Sequence, residues 1–341
     1  MKPFAPGGSG PGGNLAALDC GSLSTRLLVQ APSGTTLARL STITGLGEGV
    51  DGSGALLPDA VGRVLAVVRS YREVMDDLDV SAAAMIGTSA LRDARNRGAF
   101  SAAAASVAGV PLELLTGEEE AGLSFDGATA ALAAEPAPWL VADIGGGSTE
   151  LAVGPAGPAP GSSVLGRAGV PSELRAPSSA VSLDMGCVRV TERFFAHDPP
   201  AAKELEAARE WLIGELSLAS REVPALAEAS TLVGLAGTVL ALARSDKGIS
   251  SAGSHAVHHH RLSLDFVEGA LERFAGQTCT ERAGIPGIDP GRARYMVGGT
   301  LVLASLMAAL GYNECLVSEA DILDGLIRRL ARARQAEVGG G

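Results

Sequence analysis

Two stretches of this chain, 124 residues apart, superpose without a gap, and that repeat restricts the fold more than any other feature. The first is Leu15-Ala-Ala-Leu-Asp19-Cys20-Gly21-Ser22-Leu23-Ser24-Thr25-Arg26-Leu27-Leu-Val29, and the second is Trp139-Leu-Val-Ala-Asp143-Ile-Gly145-Gly146-Gly147-Ser148-Thr149-Glu150-Leu-Ala-Val153. Asp19 falls on Asp143, Gly21 on Gly145, Ser24 on Ser148, Thr25 on Thr149 and Val29 on Val153. In each, an apolar run delivers one carboxylate into a glycine turn and a second apolar run follows, which reads as strand, tight turn, strand. One such hairpin is weak evidence of function, since a glycine-rich turn need bind nothing. Two in register predict a duplicated fold in which each half offers a phosphate-facing loop and an acid, with a ligand between the halves.

The chemistry follows from the residue types. Glycine opens backbone conformations closed to other residues and lets N–H groups approach an anion closely. The Ser148 and Thr149 hydroxyls add donors, and Asp143 suits a magnesium ion that keeps part of its water shell.

The 341-residue length accommodates two domains, each with its own core. With 46% hydrophobic and 19% charged residues the chain is neither disordered nor fibrous. A net charge of −11 argues against a nucleic-acid partner, and it would also repel a polyanionic substrate, so such a substrate must rely on divalent metal and local arginines. Four cysteines without C-x-x-C spacing indicate neither a disulfide framework nor a zinc ribbon, and fit a reducing cytoplasm. Residues 1–14 read as a flexible Pro/Gly/Ser tail. The apolar run Leu301–Leu310 is about half the length that spans a bilayer, so no membrane partner is expected.

Further motifs carry a resemblance. They are Gly87-Thr-Ser-Ala-Leu-Arg92-Asp93, Thr116-Gly-Glu118-Glu119-Glu120-Ala-Gly-Leu-Ser124, Asp184-Met-Gly186-Cys187-Val-Arg189-Val-Thr191-Glu192-Arg193, Gly234-Leu-Ala-Gly237-Thr238 and Val317-Ser-Glu319-Ala-Asp-Ile-Leu-Asp324-Gly325. Together with the paired Asp-x-Gly loops they resemble the exopolyphosphatase/guanosine pentaphosphate phosphohydrolase family, within the acetate and sugar kinase/Hsp70/actin superfamily, from about residue 15 to 330. The resemblance implies an α/β protein of two duplicated ribonuclease H-like (actin-like ATPase) domains with a cleft between them, over 15–130 and 131–317, and a C-terminal helix over 318–335 that returns to the first domain. It also implies that Glu120 activates or orients the attacking water and that Arg92 binds substrate phosphate. A homodimer is compatible with it.

Several local readings accompany this. Pro58 opens a helix whose stripe Val61, Leu65, Val68, Tyr71 and Met75 packs in a core. Thr88 and Ser89 are candidate N-caps for a helix near Leu91, placing Arg92 in a first turn that favours anions; a surface pair with Asp93 is the alternative. Thr116 and Glu119 have capping-box spacing. A domain hinge is expected in Ala128–Pro138, and Gly154–Ser163 reads as a turn-rich excursion. Arg189 and Arg193 lie four apart on one helical face and read as mostly architectural. Gly237 and Thr238 start a helix whose N–H groups can face phosphate. Metal binding by His255 and His258-His259-His260 is the lesser reading, because consecutive histidines diverge. Ser318 is expected to cap the last helix. Three positions depart from the family pattern: Leu23 for asparagine loses a side-chain hydrogen bond, while Gly45 for arginine and Arg294 for aspartate rearrange local charge.

The chain is therefore expected to be a phosphoanhydride hydrolase that removes the terminal phosphate of inorganic polyphosphate. Phosphate would be held by Ser22, Leu23, Ser24, Arg92, Gly145, Gly146, Gly147, Ser148, Gly237 and Thr238. Magnesium or manganese would sit near Asp19, Asp143 and Glu150, with Glu150 alternatively a second base beside Glu120. Guanosine pentaphosphate hydrolysis, a kinase of the wider superfamily and a non-catalytic sensor are the rival readings.

Overall fold

The computed structural model describes residues 12–132, 135–155, 175–249 and 256–339. Most of the N-terminal tail, residues 133–134 of the expected hinge, the greater part of the Gly154–Ser163 excursion and His255 lie outside these. The described chain falls into two units. One holds residues up to Gly127, Arg175–Ala176 and the chain from Ile322; the other runs from Ala128 to Asp321, apart from the segment assigned to the first.

In the first unit, β1 (Asn14–Cys20), β2 (Ser24–Gln30) and β3 (Thr36–Ile43) form an antiparallel meander. After α1 (Val50–Ser53) and α2 (Pro58–Asp77), β4 (Val80–Gly87) returns parallel to β1. Then come α3 (Ser89–Asp93), α4 (Arg97–Ala108), β5 (Leu112–Leu114) parallel to β4, and α5 (Gly117–Thr129). The sheet order is β3-β2-β1-β4-β5. Period-two alternation sorts the strand residues. Ala16, Leu18, Leu27 and Met85 pack with Val64, Val68, Tyr71 and Met75 of α2 and with Phe100 and Ala104 of α4. Leu15, Ala17, Leu28 and Ile86 pack instead with Ile322, Leu323, Leu326 and Ile327. Val68, Tyr71 and Met75 of the expected α2 stripe are buried as read; at its start Ala60 and Val64 are fully enclosed, while Val61 and Leu65 lie at the border of the same core.

In the second unit, β6 (Trp139–Ile144), β7 (Thr149–Gly154) and β8 (Ser179–Leu183) repeat the meander. After α6 (Cys187–Phe194) and α7 (Ala202–Glu222), β9 (Thr231–Leu235) lies parallel to β6. There follow α8 (Ala236–Lys247), β10 (Arg261–Ser263), α9 (Leu264–Ala275), α10 (Cys279–Ala283), α11 (Met296–Leu310) and β11 (Glu314–Val317), which pairs parallel to β9. The order β10-β11-β9-β6-β7-β8 is the first sheet's order with one strand added, so the duplication read from fifteen residues extends to the topology. The window Ala293–Leu310 is long and apolar enough to cross a membrane, yet 83% of it is buried inside the protein, as befits a helix that is hydrophobic all round and central to a core.

The last helix, α12 (Ile322–Gly339), belongs to the first unit. Arg39 grips Asp324 through Nη2 at 2.7 and 2.6 Å, and Arg328 binds the buried Asp126 at 2.8 Å. Ser318 does not cap it. Ser318 lies four residues before the helix begins, and its hydroxyl donates to the Ala320 carbonyl (2.8 Å) in the loop between.

Candidate active site in two hairpin loops

The first hairpin closes with the Gly21 N–H donating to the Ser24 carbonyl (3.1 Å), and the second with the Gly145 N–H donating to the Ser148 carbonyl (3.0 Å), the same bond 124 residues on. What lies behind each loop is also shared. The segment after the third strand of each meander folds back and its N–H groups occupy the loop carbonyls. In the first unit Gly47 donates to Ser22 (2.7 Å), and Thr44 and Gly45 both donate to Leu23 (2.9 Å each). In the second, Cys187 donates to Gly145 (2.9 Å), Val188 to Gly146 (2.8 Å) and Gly186 to Gly147 (3.1 Å). Arg189 Nε adds a bond to the Gly147 carbonyl at 2.9 Å. Peptide planes are rigid, so carbonyls fixed toward the protein turn the intervening N–H groups the other way, as an anion-binding nest requires.

The side chains predicted to meet phosphate are partly used for this scaffolding. The Ser22 hydroxyl accepts the Ala90 N–H (3.1 Å) and ties the loop to α3. Thr149 donates to the Met185 carbonyl (2.9 Å), as Thr25 bonds Thr44 (3.0 Å), so neither threonine hydroxyl is a loop-tip donor. Leu23 and Ser148 are buried, leaving Leu23 a backbone role. At the start of α8, Ala236 holds a left-handed backbone (φ 69°), a strained conformation of the kind that collects at functional turns. Gly237 leaves room for the Arg292 guanidinium, since a Cβ there would lie 2.1 Å from Nη2. The Thr238 side chain is fully buried, packed on Gly299, so any anion contact of Thr238 comes from its backbone. Burial raises the Cys187 thiol pKa, and the group lies beside Arg292 and Thr238, linking the glycine loop to the first turn of α8.

The acids differ between the loops. Asp19 faces Arg26 across the first hairpin, and the guanidinium grips its Oδ2 through Nη2 at 2.6 Å and Nε at 2.9 Å. Asp143 faces Glu150 across the second. Both are buried, at 5% and 1% exposure, and Ser182 donates to Glu150 Oε1 at 2.8 Å. Two carboxylates opposite each other on paired strands repel, and a divalent cation relieves that repulsion. The second hairpin therefore has the donors of a metal site. The first has one carboxylate already engaged by a cation of the chain.

Arg92 and Glu120 come together. Arg92 Nη1 donates to Glu120 Oε2 at 2.6 Å and to the Leu115 carbonyl at 3.2 Å. Arg92 thus has a charged partner 28 positions on, which neither the phosphate reading nor the Asp93 alternative had named. Thr88 makes no side-chain cap bond, and Ser89 lies inside α3, so the expected cap is not formed. The Thr116–Glu119 capping box is formed in both directions, at 2.8 and 3.2 Å, and it fixes the turn that carries Glu120. The described histidines bind locally: His260 Nε2 pairs with Asp246 (2.6 Å) and His258 Nδ1 accepts the Glu319 N–H (3.1 Å). Among the described residues no three His, Cys, Asp or Glu side chains form a metal cage.

Sequence reasoning passed over Arg26, Ser182 and Gly186. Arg26 was legible, because the same 124-residue offset sets it on Glu150. Gly186 was not: a Cβ there would lie 2.2 Å from the Gly146 carbonyl oxygen, a contact between segments 40 residues apart.

The Ppx/GppA phosphatase family model matches residues 29–333. Exopolyphosphatase 2 of Mycobacterium tuberculosis (strain H37Rv) is 38% identical over 335 residues, covering 93% of this chain and 98% of the relative. Among solved structures, an exopolyphosphatase-like protein superposes with a TM-score of 0.84 at 30% identity, over 94% of this chain and 99% of the other. An exopolyphosphatase from Cytophaga hutchinsonii has the same fold, with a TM-score of 0.81 at 22% identity over 93% and 97%. With most of its length matched and its paired loops built on one strand order, the chain belongs to the Ppx/GppA phosphatase family.

Proposed function

We propose that this protein is an exopolyphosphatase that hydrolyses the terminal phosphoanhydride of inorganic polyphosphate. The observation that carries the reading is the pairing of Arg92 with Glu120, a phosphate-binding group and a carboxylate base 2.6 Å apart, on a unit whose loop also turns its N–H groups outward. The 38% identity to a protein named exopolyphosphatase 2 supports polyphosphate ahead of guanosine pentaphosphate.

In this mechanism Arg92 and the loop N–H groups hold the oxygens of the terminal phosphate. Phosphate bound at Arg92 competes with Glu120 for the guanidinium and frees the carboxylate. Glu120 then takes a proton as water attacks the end phosphorus, the bridging P–O bond breaks, and orthophosphate and a chain one unit shorter leave. Asp143 and Glu150 would hold a divalent ion, magnesium or manganese, which when bound supplies charge neutralisation along the anhydride. Cys20, Cys187, Cys279 and Cys315 are free thiols, which suits work in the reducing cytoplasm.

Phosphate release from short polyphosphate, long polyphosphate and guanosine pentaphosphate, run in parallel, tests the proposal; turnover of the nucleotide alone would replace it with the second reading. Arg92→Ala is expected to raise KM for polyphosphate by about tenfold or more, the loss of one charge-assisted contact. An unchanged KM removes Arg92 from the substrate.

A further inference from the structure

Duplicated hairpins with an aspartate in the same register would ordinarily be assigned the same ligand. Here the residue opposite that aspartate has opposite charge in the two copies: Arg26 against Asp19, Glu150 against Asp143. The Arg26 side chain is 18% exposed and that of Asp19 2%, so the pair is largely enclosed. A guanidinium held on one carboxylate oxygen by two N–H groups is a fixed resident cation, and a second cation at Asp19 would have to displace it and leave Arg26 without its enclosed counter-charge.

We infer that Arg26 reserves the first hairpin for anions. It engages Oδ2, one of the two oxygens a metal ion would use, and fixes a positive charge beside Oδ1, so a second cation is repelled there and Asp19 binds none, and each chain takes one divalent ion, at the second hairpin. The count of one rests on the metal reading proposed for Asp143 and Glu150; the exclusion of metal from Asp19 does not. The expected role of Asp19 as a metal ligand is replaced by this one: Asp19 orients Arg26 beside a loop that offers N–H groups.

Isothermal titration with Mn2+ alone, on the full chain, decides it. The wild type is expected to bind one ion, and Asp19→Asn to bind the same one ion with unchanged affinity. Arg26→Glu, which writes the second hairpin's acid pair into the first, is expected to bind two. Loss of an ion in Asp19→Asn, a tenfold weaker ion there, or a folded Arg26→Glu protein with no additional ion would each overturn the inference. Melting curves report whether Arg26→Glu folds; if it does not, Asp19→Asn alone decides, unchanged binding supporting and weakened binding overturning. Glu150→Gln separates the two readings. If it keeps the ion at full affinity, or if the wild type binds none, the metal reading of the second hairpin fails, while Asp19→Asn or the ion gained by Arg26→Glu still decides the role of Arg26.

Discussion

The two hairpins share a backbone and differ in charge. In both, the turn closes with the same N–H to carbonyl bond, a threonine hydroxyl anchors the second strand, and the segment after the third strand takes up the loop carbonyls. Across the strands, one copy carries an aspartate and an arginine, the other an aspartate and a glutamate. The difference teaches where each part of the chemistry resides. Turning N–H groups outward is a property of peptide geometry and survives duplication, whereas the proposed metal affinity depends on two side chains and changes with one substitution. In the first unit the hairpin acid is neutralised, and the carboxylate proposed as the base, Glu120, stands elsewhere, in the capped first turn of α5.

The largest effect expected from this contrast is at the two glutamates. Glu120→Gln should keep the fold and lower kcat by about 10²–10⁴, the contribution of a placed general base, at every metal concentration. Glu150→Gln should instead shift the metal requirement by on the order of 10–100-fold, with activity returning as metal is raised. Rescue of Glu120→Gln by added metal, or failure of metal to rescue Glu150→Gln, would break the division of labour.

A smaller effect separates the scaffolds behind the loops. A Cβ on Gly186 would lie 2.2 Å from the Gly146 oxygen and 2.3 Å from its carbonyl carbon, both backbone, while one on Gly47 would meet the Ser22 Cβ at 2.9 Å. Gly186 has ordinary extended dihedrals (φ −83°, ψ 165°), so the obstacle is contact alone. Gly186→Ala is expected to cost about 1–3 kcal/mol in stability, as overpacking does, and up to about 10² in kcat/KM by moving the loop. Gly47→Ala should cost less on both measures. Equal losses would mean that the two loops tolerate displacement alike, and the comparison of scaffolds would then reduce to charge.

Legibility in the sequence followed the range of the interaction. The hairpins and the Thr116–Glu119 box depend on neighbours a few residues away, and periodicity and capping rules located them. The α2 stripe was legible at Val68, Tyr71 and Met75, and inexact only in its first turns, where Val61 and Leu65 are apolar yet border the core that Ala60 and Val64 occupy. Arg92 was assigned to substrate phosphate, with a pair to its neighbour Asp93 as the alternative, and its bond to Glu120, 28 residues on in α5, was in neither reading. Gly186 and Ser182 act on Gly146 and Glu150 from more than 30 residues away, and no local pattern announces such contacts. Arg26 differs from these. The register was visible in the repeat, and comparing the two copies position by position yields it.

The smallest effect concerns two capping boxes, one in the turn that carries Glu120 and one in the other unit. Glu119 accepts the Thr116 N–H and Glu281 the Thr278 N–H, and these backbone bonds hold both carboxyls below their ordinary range. A carboxyl whose folded pKa is depressed contributes stability that is present above its unfolded value and lost as pH falls through the folded one. At neutral pH, Glu119→Gln and Glu281→Gln should therefore each melt slightly below the wild type. Both gaps should close below about pH 4, as the wild-type carboxyls take up protons. The two variants part in turnover, because Glu119 fixes the turn that carries Glu120, while Glu281 caps α10 in the other unit. Glu119→Gln should lower kcat and Glu281→Gln leave it unchanged. Equal kcat in both would show that Glu120 is positioned by its bond to Arg92 without help from the cap.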